Sequence, residues 1–215
     1  AVAANPERDR RHTIAHLVYV ADPDSGRFAD LGVVAQFSAN WMSADPDTVE
    51  NLAARYGRPR QDLLYRIQDV AQAGGRISLG TDWPAAGYFS TYRPLDSIQI
   101  GVTRQLIGEP EAAVLAPAEQ RLTVEQAVHA NTLGAAYQIR MDDRVGSLEA
   151  GKLADLIVLD RNIFDIDAAI GARLLRGGRA DQAEPAAGRQ VRHGTERADA
   201  AENLSSGIHC FSPST

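Results

Sequence analysis

The sequence predicts an α/β fold in which parallel strands alternate with helices. Two observations carry that reading. Apolar runs of strand length at 12–20, 33–37 and 76–79 are separated by stretches whose apolar residues recur at helical spacing. Most of those stretches carry helix punctuation, with Asp-Pro before them or glycine after them. Strand, helix, strand, helices, strand, helices is the order of repeated βαβ units, whose crossovers place helices outside a parallel sheet.

The first run, His12 to Val20 with Thr13-Ile14-Ala15-His16-Leu17-Val18 at its centre, reads as a strand buried on both faces, and His16 is its odd member. Asp22-Pro23 opens a helix whose apolar face holds Phe28 and Leu31, and Gly32 closes it. Val33-Val34-Ala35-Gln36-Phe37 is the second strand, running into Ser38-Ala39-Asn40-Trp41. Asp45-Pro46 opens a helix through about Tyr56, stopped by Gly57, and a further helix from Gln61 to Ala73 stops at Gly74-Gly75. Arg76 to Leu79 is the third strand. It passes through Gly80 and Thr81 to Asp82, and Pro84 lacks a ladder donor and biases Trp83 to extended backbone, so the acid sits where the strand stops.

Leu95, Ile98, Val102 and Leu106 mark a helix over 94–106. Thr123-Val124-Glu125-Gln126 is a capping box that opens a long helix to about Ile139. The order changes after Arg140: a turn at Gly146 leads into the apolar run Leu153 to Leu159, expected to be a short strand of a separate β-type appendage. From about Ala180 onward the chain is rich in Ala, Gly, Ser and charge without a sustained period, which predicts disorder.

Composition narrows the function classes. At 215 residues, 44% hydrophobic and 23% charged, the chain is long enough to bury a core. A net charge of −6 argues against a nucleic-acid partner or an anionic membrane surface, and leaves small-molecule chemistry as the better expectation. Cys210 is the sole cysteine, so an intramolecular disulfide and a cysteine metal cluster are both excluded. No stretch approaches the roughly 18 apolar residues of a membrane span. The first residues resemble neither a signal peptide nor an initiator-Met sequence, so the chain is expected to begin inside a longer, cytoplasmic protein. Leu153 follows Gly151-Lys152 where a phosphate loop carries Ser or Thr, which argues against nucleotide binding there.

A carboxylate at the C-terminal end of a strand flanked by helices stands where α/β enzymes place their chemistry. On residues alone, Asp82 also reads as a solvated turn acid, and His16 as a core histidine bonded to backbone.

Taken together, four segments resemble the metal-dependent amidohydrolase superfamily: Arg11-His12-Thr13-Ile14-Ala15-His16, Gly32-Val33-Val34-Ala35, Leu79-Gly80-Thr81-Asp82-Trp83-Pro84, and Gly146-Ser147-Leu148-Glu149-Ala150-Gly151-Lys152-Leu153-Ala154-Asp155. The likeness is to the branch that includes N-substituted formamide deformylases, and it spans roughly residues 1 to 167. It implies the C-terminal part of a (β/α)₈ TIM-type barrel, about three βα units over 1–145. A β-strand segment of a small composite sandwich would follow over 146–178, and 179–215 would form a disordered or non-family tail.

The resemblance implies a metal-dependent hydrolase of non-peptide C–N bonds, of amide or formamide type, acting through metal-activated water. His16 falls on the metal-binding His after the sixth barrel strand. Asp82 falls on the Asp after the eighth, which in that family binds metal, takes a proton from the attacking water and passes it to the leaving amine. The cofactor would be a divalent metal, zinc first, with Fe, Mn or Ni as alternatives. Trp83, Trp41, Asn40 and Tyr88 are the candidates for binding a small-molecule amide substrate.

The departures are as specific. The family's first-strand His-x-His, its bridging lysine or acid and its fifth-strand His would all precede Ala1, and Asn40-Trp41 stands where many relatives carry a loop His. The chain is therefore expected to be a C-terminal fragment, inactive alone. Three barrel strands leave open edges, which the missing N-terminal part of the same enzyme or a second copy would cover. The alternative is a non-catalytic fragment or assembly module with an incomplete metal site.

Overall fold

The computed structural model describes residues 4–85, 91–159 and 162–165. At its centre is a parallel sheet of three strands in the order β1 (Thr13–Ile14), β2 (Val34–Ser38) and β3 (Ile77–Gly80). Thr13 pairs with Val34, and β2 pairs with β3 from Ala35↔Ile77 to Ser38↔Gly80. All five residues of β2 are buried. The apolar run Val33 to Phe37 is thus explained, since a central parallel strand is covered on both faces and shows no polar alternation.

The connections are helical and broken. Between β1 and β2 lie a 3₁₀ turn at Asp22–Asp24 and the short helix α1 (Arg27–Asp30), after which Gly32 adopts φ 61°. Between β2 and β3, Asp45 accepts hydrogen bonds from Thr48 N (3.0 Å) and Thr48 Oγ1 (2.6 Å) and starts a π-helical turn, Asp47–Leu52, that continues as α2 (Ala53–Tyr56). A 3₁₀ segment, Arg58–Leu63, and α3 (Ile67–Gln72) follow. α4 (Pro94–Thr103) is buried over Asp96 to Thr103, because the sheet and the later segment 104–122 both pack on it. Phe37, Met42, Ile67, Val70, Leu79 and Ile100 belong to one core cluster.

The capping box forms as the sequence predicts: Gln126 N donates to Thr123 Oγ1 (3.1 Å) and Thr123 N to Gln126 Oε1 (2.8 Å). The helix runs as α5 (Val124–His129), a π-helical turn Ala130–Gly134 and α6 (Ala135–Gln138). It crosses β3 so closely that a Cβ on Gly134 would lie 2.4 Å from the Ile77 carbonyl oxygen.

Three expectations change. The helix expected from Gln61 to Ala73 starts only at Ile67, since 58–63 is a 3₁₀ segment and Leu64 to Arg66 are not helical. The first strand is two residues long instead of nine, because His16 takes left-handed backbone (φ 54°) and turns the chain out of the ladder. The expected strand at 153–159 joins no sheet, and its apolar side chains stand in solvent, Ile157 at 72% exposure. A strand needs a neighbour for its backbone groups, and none of the described residues provides one there. The end of the expected sandwich segment, 166–178, and the tail 179–215 lie outside the described residues.

Candidate functional site

Because the three strands are parallel, their C-terminal ends share one rim. His16 follows β1 by two residues, Ser38 ends β2, Trp41 lies in the 3₁₀ turn Ala39–Trp41 just beyond, and Asp82 follows β3 by two residues. The structure brings His16 and Asp82 together, with His16 Nδ1 3.7 Å from Asp82 Oδ2. The imidazole is 57% exposed and the carboxylate 26%, so both face the open rim.

Each is held by β2 or the turn after it. His16 Nδ1 lies 2.9 Å from Ser38 Oγ, and His16 N donates to Gln36 Oε1 at 2.8 Å. The Trp41 indole Nε1–H donates to Asp82 Oδ2 at 2.9 Å. The Gln36 amide also donates to Phe37 O at 3.0 Å, which fixes it under the rim. It sits so close to β3 that a Cβ on Gly80 would come within 2.8 Å of its Nε2. Asp82, like His16, has left-handed backbone, at φ 58°. Non-glycine residues in that region are uncommon and cluster at functional sites, although Asp and His tolerate it better than most.

The remaining candidates are dispersed. Trp83 is exposed and meets Tyr92 edge to face with ring centroids 6.0 Å apart. Asn40 is 3% exposed and its amide donates to Thr91 O at 2.9 Å, which ties the rim turn to the chain entering α4. Tyr88 lies outside the described residues. Gln36 and Ser38, which hold His16, were missed by the sequence reading. Ser38 could have been found, since it ends a strand level with the other two, whereas Gln36 reads as one more residue of a buried strand.

One imidazole and one carboxylate at hydrogen-bond range of a common space suit a divalent metal such as zinc as two of its ligands. A catalytic site of that kind needs about three protein ligands. Among the described residues no group of three or more His, Cys, Asp or Glu is placed to hold a metal ion. The pair therefore fits part of a metal site.

The family pattern of the amidohydrolases matches residues 1–195. The chain belongs to the amidohydrolase family. It is 34% identical over 164 residues to the protein LONG AFTER FAR-RED 3 of Arabidopsis thaliana, covering 76% of this chain and 26% of that one. It is 32% identical over 159 residues to the N-substituted formamide deformylase of Arthrobacter pascens, covering 71% of this chain and 26% of that enzyme. Among solved structures, an uncharacterized metal-dependent hydrolase from Pyrococcus furiosus superposes with a TM-score of 0.57 at 25% identity, over 72% of this chain and 29% of its own. This amidohydrolase chain thus spans roughly a quarter of the length of these relatives. No helix among its described residues is long and apolar enough to cross a membrane.

Proposed function

We propose that this stretch supplies one side of the active site of a metal-dependent hydrolase acting on non-peptide C–N bonds of amide or formamide type. The observation that carries the reading is the His16–Asp82 pair, 3.7 Å apart on the common rim of a parallel sheet. Membership of the amidohydrolase family and likeness to a formamide deformylase support it. His16 and Asp82 would hold a divalent metal, zinc first. When bound, such a metal lowers the pKa of water from 15.7 to about 7 and polarises a carbonyl oxygen.

Asp82 is the proton-handling group. Its carboxylate lies at the rim where a substrate carbonyl would enter, accepts a proton as water attacks the carbon, and delivers it to the departing nitrogen so that the amine leaves neutral. His16 orients the same rim through its Ser38 and Gln36 contacts. Trp83, the face of Trp41, Asn40 and Tyr88 are the proposed substrate-side residues. The remaining ligands, and the strand beyond the open edge of β1, would come from the N-terminal part of the same polypeptide or from a second copy.

The test compares this chain alone with a longer polypeptide that also carries the upstream family histidines. The chain alone is expected to retain substoichiometric zinc and turn over no N-substituted amide. The longer form is expected to hydrolyse one, with Asp82→Ala lowering kcat by at least about 10²-fold and His16→Ala lowering metal content. A longer form that binds zinc and hydrolyses amides equally well with Ala at 82 would sink the proposal. Because no ligand triad is present among the described residues, a second reading is a non-catalytic module. Absence of metal from both forms would favour it.

A further inference from the structure

We propose that Trp41 is a positioning residue for Asp82, holding the carboxylate in place through its indole N–H; this rests on the hydrolase reading given above. The two residues are 41 apart in sequence and leave different strands, yet Nε1 lies 2.9 Å from Oδ2. An indole N–H is a donor and nothing else. Trp41 can therefore anchor an accepting carboxylate oxygen, but it can neither take the proton that Asp82 handles nor occupy a ligand position of a metal. A histidine in the same turn could do both.

The hydrogen bond also closes a chain of contacts across the rim. Ser38 Oγ holds His16 Nδ1 at 2.9 Å, His16 Nδ1 lies 3.7 Å from Asp82 Oδ2, and Trp41 grips that same oxygen. The ends of all three strands are coupled, and the turn after β2 is the part that spans from one to the next. Asp82 lies two residues beyond the last ladder pair of β3, so strand pairing does not hold its carboxylate, and the Trp41 indole donates to it from outside that strand. The simpler role for Trp41 is packing, since its ring lies partly buried against the core cluster. Trp41→Phe separates the two, because it keeps the ring and removes the donor.

The chain holds two tryptophans, Trp41 and Trp83, so the ¹⁵N-labelled 215-residue protein gives two indole N–H resonances. One is expected to exchange slowly with solvent, to vanish in Trp41→Phe, to lose its protection in Asp82→Ala and to keep it in Asp82→Asn, whose amide oxygen still accepts. A zinc titration, followed on the His16 ring protons as identified with His16→Ala, is expected to show about 10-fold weaker binding in Trp41→Phe, the scale on which supporting hydrogen bonds act at metal sites, at an unchanged melting temperature. Protection that survives in Asp82→Ala overturns the proposal, as does equal zinc affinity in Trp41→Phe and the parent. If His16 ignores zinc in the longer form as well as in the 215-residue chain, the hydrolase reading fails. The exchange measurement then judges Trp41 by itself, for or against.

Discussion

Arg104 ends α4 in left-handed backbone (φ 55°) and is fully buried, and among the described residues no carboxylate pairs with it. Its guanidinium instead donates to four carbonyls: Leu115 O at 2.9 Å, Tyr65 O at 3.2 Å, Leu64 O at 3.3 Å and Ala116 O at 3.2 Å. Burial pushes its pKa down to about 10, so it stays charged at neutral pH. Truncation would strand several buried acceptors at once. Arg104→Met is expected to cost about 3 kcal/mol, read from urea midpoints, and a loss below about 1 kcal/mol would show that water takes over those carbonyls. No sequence pattern announces such a residue, since an arginine after a helix reads as a solvated end. Asp82 was readable as the residue where a strand stops, whereas His16 was singled out by the family resemblance, since pattern alone put it inside a nine-residue strand. The indole of Trp41 on Asp82 was not readable, because a hydrogen bond across 41 residues exists only once two strands have paired.

At the scale of elements, helix punctuation was legible and strand length was not. The Thr123 capping box and the glycines after α1 and α3 end or begin helices where expected, since those signals act within four residues. β1 is shorter than its apolar run, because a backbone turn at His16 overrides hydrophobicity. The run 153–159 has strand composition but lacks a neighbouring strand among the described residues, and pairing is a tertiary property. The α5–α6 helix crosses β3 in close contact at Gly134. Gly134→Ala would drive a methyl to 2.4 Å from Ile77 O, and it is expected to lower stability by about 1–3 kcal/mol through overpacking. Chemical denaturation monitored by helical circular dichroism checks this, and an unchanged midpoint would mean that the helix slides off the strand without cost.

Across the whole molecule, the start of the chain is clasped to the end of the α6 helix. Arg11 pairs with Asp142 and donates to Tyr137 O at 3.0 Å, while Arg140 donates to Asp9 O at 3.0 Å and Arg10 O at 2.8 Å. The guanidinium carbons of Arg11 and Arg76 each lie 4.0 Å from the centre of the Tyr137 ring. The hydrogen bond from Arg11 holds the Asp142 carboxyl below its ordinary value of 3.8. Its contribution to stability is therefore complete above that value and is lost as the pH falls through the lower, folded one. Asp142→Asn is expected to flatten the decline of melting temperature below about pH 4, while leaving the neutral-pH slope as it was. An identical acid limb in the variant would show that other carboxylates control it. The left-handed backbone beneath His16 and Asp82 bears on how such a rim survives mutation. Glycine at either position would relax about 1 kcal/mol of conformational strain, so drift filtered for folding alone runs toward losing both side chains. A lineage that keeps them is one in which the chemistry, not the fold, is under selection.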